Sequence, residues 1–133
     1  MPSANLTVYS AGSKQGQGQA GGACMKSKCL VIYVAPWCPT CRRLNAPMVA
    51  LRDALEADGI QVSFIIGMDK EPKLLAYAAG YNKPVLIDDQ GFHKRANIKA
   101  VPYFAVVDQT GKIKATLLGG YEDVGAMRRK LGI

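Results

Sequence analysis

The sequence is poor in the features that assign a protein to a compartment or a class at sight. No run of about 18 apolar residues occurs, so no transmembrane helix is expected. No positively charged start leads into an apolar stretch, so no signal peptide is read, which leaves the compartment open. There is no long basic tract and no nucleic-acid-binding motif, so nucleic acid is not an expected partner. Histidine occurs once, as His93, after the turn Asp89-Gln90-Gly91. It reads as a surface residue and does not lie between cysteines, where it could activate them. Cysteine occurs only four times in 133 residues, at 24, 29, 38 and 41. That is too sparse for a fold held by disulfides, and it suggests redox or zinc chemistry.

What is present is an ordinary globular composition. The chain is 49% apolar and 20% charged, enough for one domain with a real core. Its formal net charge is +7, with basic residues scattered from Lys14 to Lys130. They read as a solvated surface, with attraction to acidic proteins or anionic lipid left open.

The stretch Ala35-Pro36-Trp37-Cys38-Pro39-Thr40-Cys41 organises the rest. The run Leu30 to Ala35 before it has the β-branched and aromatic residues of a strand buried on both faces. After it the period becomes helical to about Asp58. Leu44, Met48, Leu51 and Leu55 share one face, while Arg43, Asn45, Arg52, Asp53 and Glu56 fall elsewhere. Pro47 should kink this helix. A cysteine where a strand stops and a helix starts meets N–H groups without intrahelical partners, and these stabilise a thiolate. Arg42 and Arg43, one turn on, add to that effect at Cys38. Pro39 fits the first helical turn. Cys41 lies one turn along, within disulfide reach and more shielded, as a resolving cysteine should be. Trp37 shapes the surface beside them.

A lone C-x-x-C is also half a zinc site, and all four cysteines together number a full ligand set. Geometry opposes that. A strand from Leu30 to Ala35 holds Cys29 roughly 20 Å from Cys38, beyond the reach of one ion or of a disulfide. The pairs are then Cys38 with Cys41 and, if oxidised, Cys24 with Cys29. For the second pair the preferred reading is a structural disulfide. Free thiols come next, and a second redox relay last.

Elsewhere, Leu6 to Tyr9 reads as a short strand, and Ala11 to Gly22 as a flexible Gly-rich loop. Residues 1–29 therefore read as an N-terminal strand and flexible Gly-rich loop, and 30–133 as the domain proper, one domain overall. Strands follow at Ile60 to Ile66, Val85 to Ile87, Tyr103 to Val107 and Ile113 to Leu118. Helices follow at Glu71 to Ala79, Phe92 to Ile98 and Glu122 to Leu131. Alternating strands and helices imply a parallel core, and the turn Asp108-Gln109-Thr110-Gly111 adds an antiparallel hairpin. Val101-Pro102 opens a strand. A trans proline is tolerated there. Facing a C-x-x-C, a cis bond is expected instead, leaving a backbone edge where a substrate can pair.

Trp37-Cys38-Pro39-Thr40-Cys41 with Val101-Pro102 resembles the thioredoxin superfamily. Met68 to Pro72, Lys83 to Asp88 and Val101 to Ile113 resemble its TlpA-like branch of thiol:disulfide oxidoreductases. The resemblance covers residues 30–133. It implies a thioredoxin-like three-layer α/β/α sandwich with a mixed sheet. Cys38 would be the attacking cysteine, Cys41 the resolving one and Pro102 a cis-proline, with Trp37, Pro39, Thr40, Val101 and Pro102 along the substrate groove. Two departures stand out. Ile32 holds the place of thioredoxin's buried acid, so Asp69 is the nearest candidate proton relay. Pro39-Thr40 replaces Gly-Pro, so the potential does not carry over.

The expectation is a thiol:disulfide oxidoreductase, favoured as a reductase, with oxidase or isomerase direction and a non-catalytic binding module as alternatives. It would act on protein thiols and disulfides and take electrons from an upstream donor. No cofactor or metal is called for. A monomer is expected, in the bacterial periplasm or another extracytoplasmic space, with the cytoplasm as alternative.

Overall fold

A computed structural model describes all 133 residues, Met1–Ile133. The elements in order are β1 (Ser3–Ser10), β2 (Ser13–Gly21), β3 (Cys29–Val34), α1 (Pro39–Arg43), α2 (Asn45–Ala57), β4 (Gln61–Ile66), α3 (Glu71–Ala78), β5 (Val85–Ile87), α4 (Phe92–Arg95), β6 (Tyr103–Val107), β7 (Ile113–Leu118) and α5 (Val124–Leu131). All seven strands join one sheet in the order β2-β1-β5-β4-β3-β6-β7. Its centre, β5-β4-β3, is parallel. Antiparallel hairpins extend it on both sides: β6-β7 beside β3, and β1-β2 beside β5.

Strand β3 shows why the sheet is covered on both faces. Its residues alternate, Leu30, Ile32 and Val34 to one side and Val31 and Tyr33 to the other, and all are buried. The first side packs on Met48, Leu51 and Leu55 of α2, Leu74 of α3 and Met127 and Leu131 of α5. The second carries a thinner layer, Phe92 of α4 and the following Ile98, with Leu6 and Ala20 of the first hairpin. Each such buried side chain contributes roughly 1.5–3 kcal/mol. This is the mixed-sheet α/β/α sandwich that the sequence implies, with one outer layer lighter than the other.

Several details differ from the sequence reading. The Gly-rich stretch is not a loop. Ser13–Gly21 is β2, paired in register from Ser3↔Gly21 to Ser10↔Ser13. Its glutamines and glycines alternate, so the small residues Gly18 and Ala20 meet the inner surface while Gln15, Gln17 and Gln19 stay in solvent. The long helix expected to kink is broken into two at Leu44. Pro47 has no N–H to give the Arg43 carbonyl, and its ring crowds that carbonyl. The chain closes α1 with Leu44 N on Thr40 O and restarts with Met48 N on Leu44 O. Arg52, expected off the apolar face of α2, is 1% exposed, its guanidinium 5.6 Å from the Phe64 ring centroid. Helix α4 is one turn, shorter than the expected span to Ile98, and α5 begins at Val124, since Asp123 caps it. His93 is half-buried, drawn in by Asp88.

Candidate active site

Strand β3 delivers the chain to the first helix. After Val34, the turn Ala35-Pro36-Trp37 places Cys38 in extended geometry (φ −80°, ψ 114°) as the N-cap of α1, with Pro39 at its first position. The cap is the sulfur itself: Cys38 Sγ accepts from the Cys41 N–H at 3.2 Å. Cysteine thus stands where an N-cap normally uses an oxygen, and a free donor of the first turn is spent on it. Cys38 is 4% exposed and Cys41 fully buried, both as free thiols. Burial, then the hydrogen bond with Cys38, pushes the Cys41 thiol up to about 12. The pair is therefore asymmetric, with one sulfur retaining a sliver of exposure and one fully buried and held protonated beneath it.

The far wall comes from the other half of the chain. The Val101–Pro102 bond is cis. The Cys38 thiol lies 3.6 Å from the Val101 carbonyl. Pro102 O accepts from Gly119 N at 3.0 Å, tying this corner to the end of β7. The Val101 N–H has no backbone acceptor in the chain, so it is free to pair with an extended segment. On the near wall Trp37 is 54% exposed and is pinned by its Nε1–H to the Met68 carbonyl at 2.8 Å. Pro39 is exposed and Thr40 half-buried beside it. A concavity of about 470 Å³ continues past Trp37, between Arg42, Asp69, Lys73 and Tyr77.

The charged candidates sit further out. Arg42 donates to the Pro36 carbonyl at 2.6 Å, bracing the turn before Cys38, while Arg43 faces Glu122 at 3.4 Å. Asp69 accepts from the Lys70 N–H at 2.8 Å and bonds to neither sulfur. Ile32, in the place of the missing acid, is fully buried in the apolar cluster that holds both sulfurs. Cys24 and Cys29 form a disulfide with a Cα–Cα distance of 5.7 Å, at the opposite end of β3 from the dithiol.

The sequence reading missed the support behind the Trp37 wall. Tyr33 donates to Asp88 at 2.5 Å, and Asp88 also accepts from the N–H groups of Gln90, Phe92 and His93. Burial alone would raise the Asp88 carboxyl, but the Tyr33 hydroxyl and the three backbone donors together bring it below its ordinary range. His93 Nδ1 lies 3.4 Å from the same carboxylate. The cluster lies on the opposite face of the sheet from Cys41. It packs on Gly67, where a Cβ would sit 1.9 Å from the Tyr33 oxygen. Gly67 precedes Met68, a left-handed residue (φ 61°) whose carbonyl holds Trp37. A tyrosine in an otherwise aliphatic buried strand was the available signal, because its hydroxyl needs a buried partner. Tyr77 was also missed: its hydroxyl is buried without a partner.

The sequence profile of a thioredoxin-like domain matches residues 24–132. No curated protein is similar enough in sequence to be matched to the chain. Among solved structures, the exposed lipoprotein thioredoxin Etrx1 of Streptococcus pneumoniae superposes with a TM-score of 0.73 at 18% identity, covering 98% of both chains. The thioredoxin domain of a thiol-disulfide oxidoreductase from Bacteroides vulgatus gives 0.69 at 15% identity, covering 98% of this chain and 94% of that one. A thiol:disulfide interchange protein of the thioredoxin family from Chlorobium tepidum gives 0.62 at 21% identity, covering 80% and 78%. At these identities the likeness is one of fold.

Proposed function

The chain belongs to the thioredoxin-like family, and on that premise we propose that it exchanges its Cys38–Cys41 dithiol with disulfides of protein substrates, as a reductase. The observation that carries this reading is the meeting of Cys38, with its sulfur in a helix cap, and the free backbone edge at Val101–Pro102. A substrate strand paired along that edge would bring its disulfide over the Cys38 sulfur, on the side that keeps a sliver of exposure.

The Cys38 thiolate attacks one substrate sulfur. The substrate S–S bond breaks, and its other sulfur leaves as a thiolate that takes up a proton. The Cys41 thiol gives up its proton, and its sulfur attacks Cys38 Sγ. The mixed disulfide breaks, the second substrate thiol departs, and the Cys38–Cys41 disulfide remains. Two electrons have passed to the substrate, and an external dithiol donor must restore the pair.

The reductase direction and the TlpA-like assignment rest on Cys38-Pro39-Thr40-Cys41 within the resemblance of residues 30–133. An extracytoplasmic site of action fits the Cys24–Cys29 disulfide, since such bonds persist in oxidising compartments. The exposed lipoprotein named above fits the same compartment. A reduction potential near about −270 mV supports a reductant, and one near about −120 mV would replace it with an oxidant. Cys38→Ser should abolish insulin reduction. Wild-type turnover in that variant would sink the assignment.

A further inference from the structure

Arg52 takes no part in the redox chemistry and is costly where it stands. The side chain is 1% exposed, and none of its three guanidinium nitrogens has a hydrogen-bond acceptor. Arginine cannot shed its proton to escape burial. Asp53 and Glu56 stand 3.5 and 4.0 Å from its Nε, which balances charge without making a hydrogen bond. Both acids turn instead to Lys83, at 2.8 and 3.5 Å. The Nη1 and Nη2 groups, a fork shaped for two oxygens of one carboxylate, are left unused.

Arg52 lines a cleft of about 270 Å³, with Gly18, Ser63, Phe64, Lys83 and Leu86 among its other walls. The cleft exists because β5 pairs with only Ile65 and Ile66 of β4, so the Gln61–Phe64 part of that strand edge carries no ladder. Gly18 forms part of its wall by close approach: a Cβ there would lie 3.1 Å from Leu86 Cδ2 and from Val8 Cγ2, so a larger residue would crowd both. An open strand edge beside an unused guanidinium fork has the two parts needed to receive the end of a peptide, amide pairing and carboxylate capture.

We propose that this cleft binds a small carboxylate-bearing ligand, the size of an amino acid or dipeptide. Its carboxylate engages Nη1 and Nη2 of Arg52, and its amide pairs with the open edge of β4. The site is separate from the dithiol and does not depend on the redox reading.

The test is an NMR titration of the full chain, following the Arg52 Nε–Hε resonance, with glycylglycine, acetate and inorganic phosphate as probes. Glycylglycine is expected to move that resonance saturably, and acetate to do so more weakly. At a hundredfold excess over Kd, glycylglycine should raise Tm by roughly 5–10 °C. Arg52→Met should abolish the Tm rise while leaving dithiol exchange with glutathione unchanged. Should that variant not fold, Arg52→Lys, which keeps the charge and loses the fork, should weaken binding at least tenfold. The proposal is overturned by no saturable movement up to about 50 mM of either carboxylate. It is equally overturned by movement with phosphate alone, or by a Tm rise that survives in the variants.

Discussion

Cys41 is a thiol that the fold keeps protonated, with a value near 12 in place of 9.0. The sign of the consequence is fixed. In the unfolded chain this thiol ionises near 9.0, while in the folded chain it does not. Its contribution to the stability of the reduced protein is complete below pH 9.0 and is lost as pH climbs towards about 12. Urea melts of the reduced protein across that range, beside Cys41→Ala, should show a steeper decline in the parent than in the variant, in which the buried tyrosines Tyr33 and Tyr81 still lose stability above pH 10.0. Asp88 behaves in the opposite sense, because its carboxyl lies below 3.8 in the fold. Its contribution is present above that value and fades as pH falls through the folded one. Asp88→Asn should cost roughly 2–3 kcal/mol at pH 7 by urea denaturation, from the loss of charge-assisted bonds. The cost should shrink in acid. The cap at Cys38, the shielding of Cys41 and the cis bond at Pro102 were readable because each follows from local chemistry, a strand end, a turn of helix or a proline. Arg52 and Asp88 were not, because their states are set by neighbours far away in sequence: Phe64 for the first, Tyr33 for the second.

Elements were legible where apolar residues carried the period. Strand β3 and the Leu44, Met48, Leu51 and Leu55 stripe came through because burial dictates both. Strand β2 did not, because its glycines and glutamines resemble a linker by composition while their alternation is that of a strand. The break at Leu44 was half visible: Pro47 announced a disturbance, and its consequence fell three residues earlier, just after Arg43, whose carbonyl was owed the missing N–H. From the end of β2 the chain runs into the Cys24–Cys29 disulfide, which ties it to the first residue of β3. The loop it closes is short, so the expected stabilisation is about 2 kcal/mol. Cys24→Ser with Cys29→Ser should lower the unfolding free energy by that amount, measured without reductant. Glutathione exchange at Cys38–Cys41 should stay at its parental rate, since the two pairs occupy opposite ends of one strand. A parallel loss of exchange would show the pairs to be coupled.

Across the whole molecule the net charge of +7 is unevenly answered. Asp53, Glu56, Asp58, Glu71 and Glu122 are each held by a basic partner. Arg42, Lys70 and Lys73 near Trp37, and Lys94 and Lys99 on the other side of Met68, have no carboxylate within salt-bridge distance. Exchange with an acidic peptide disulfide should therefore slow with salt, roughly tenfold in kcat/KM from 10 to 200 mM. A basic peptide should show the reverse trend, and equal salt responses would dismiss steering. One edge of the sheet carries a different kind of ambiguity. In β2 the run Gln15-Gly16-Gln17-Gly18-Gln19 is its own translation by two residues. Slid one step of the pleat along β1, it would set glycine where glycine was and glutamine where glutamine was. Such a strand is a ruler without numerals. Its alignment must be read from outside, from Ala20 in the core, from the bulge between Thr7 and Tyr9, and from the sulfur bridge that anchors the chain just beyond it.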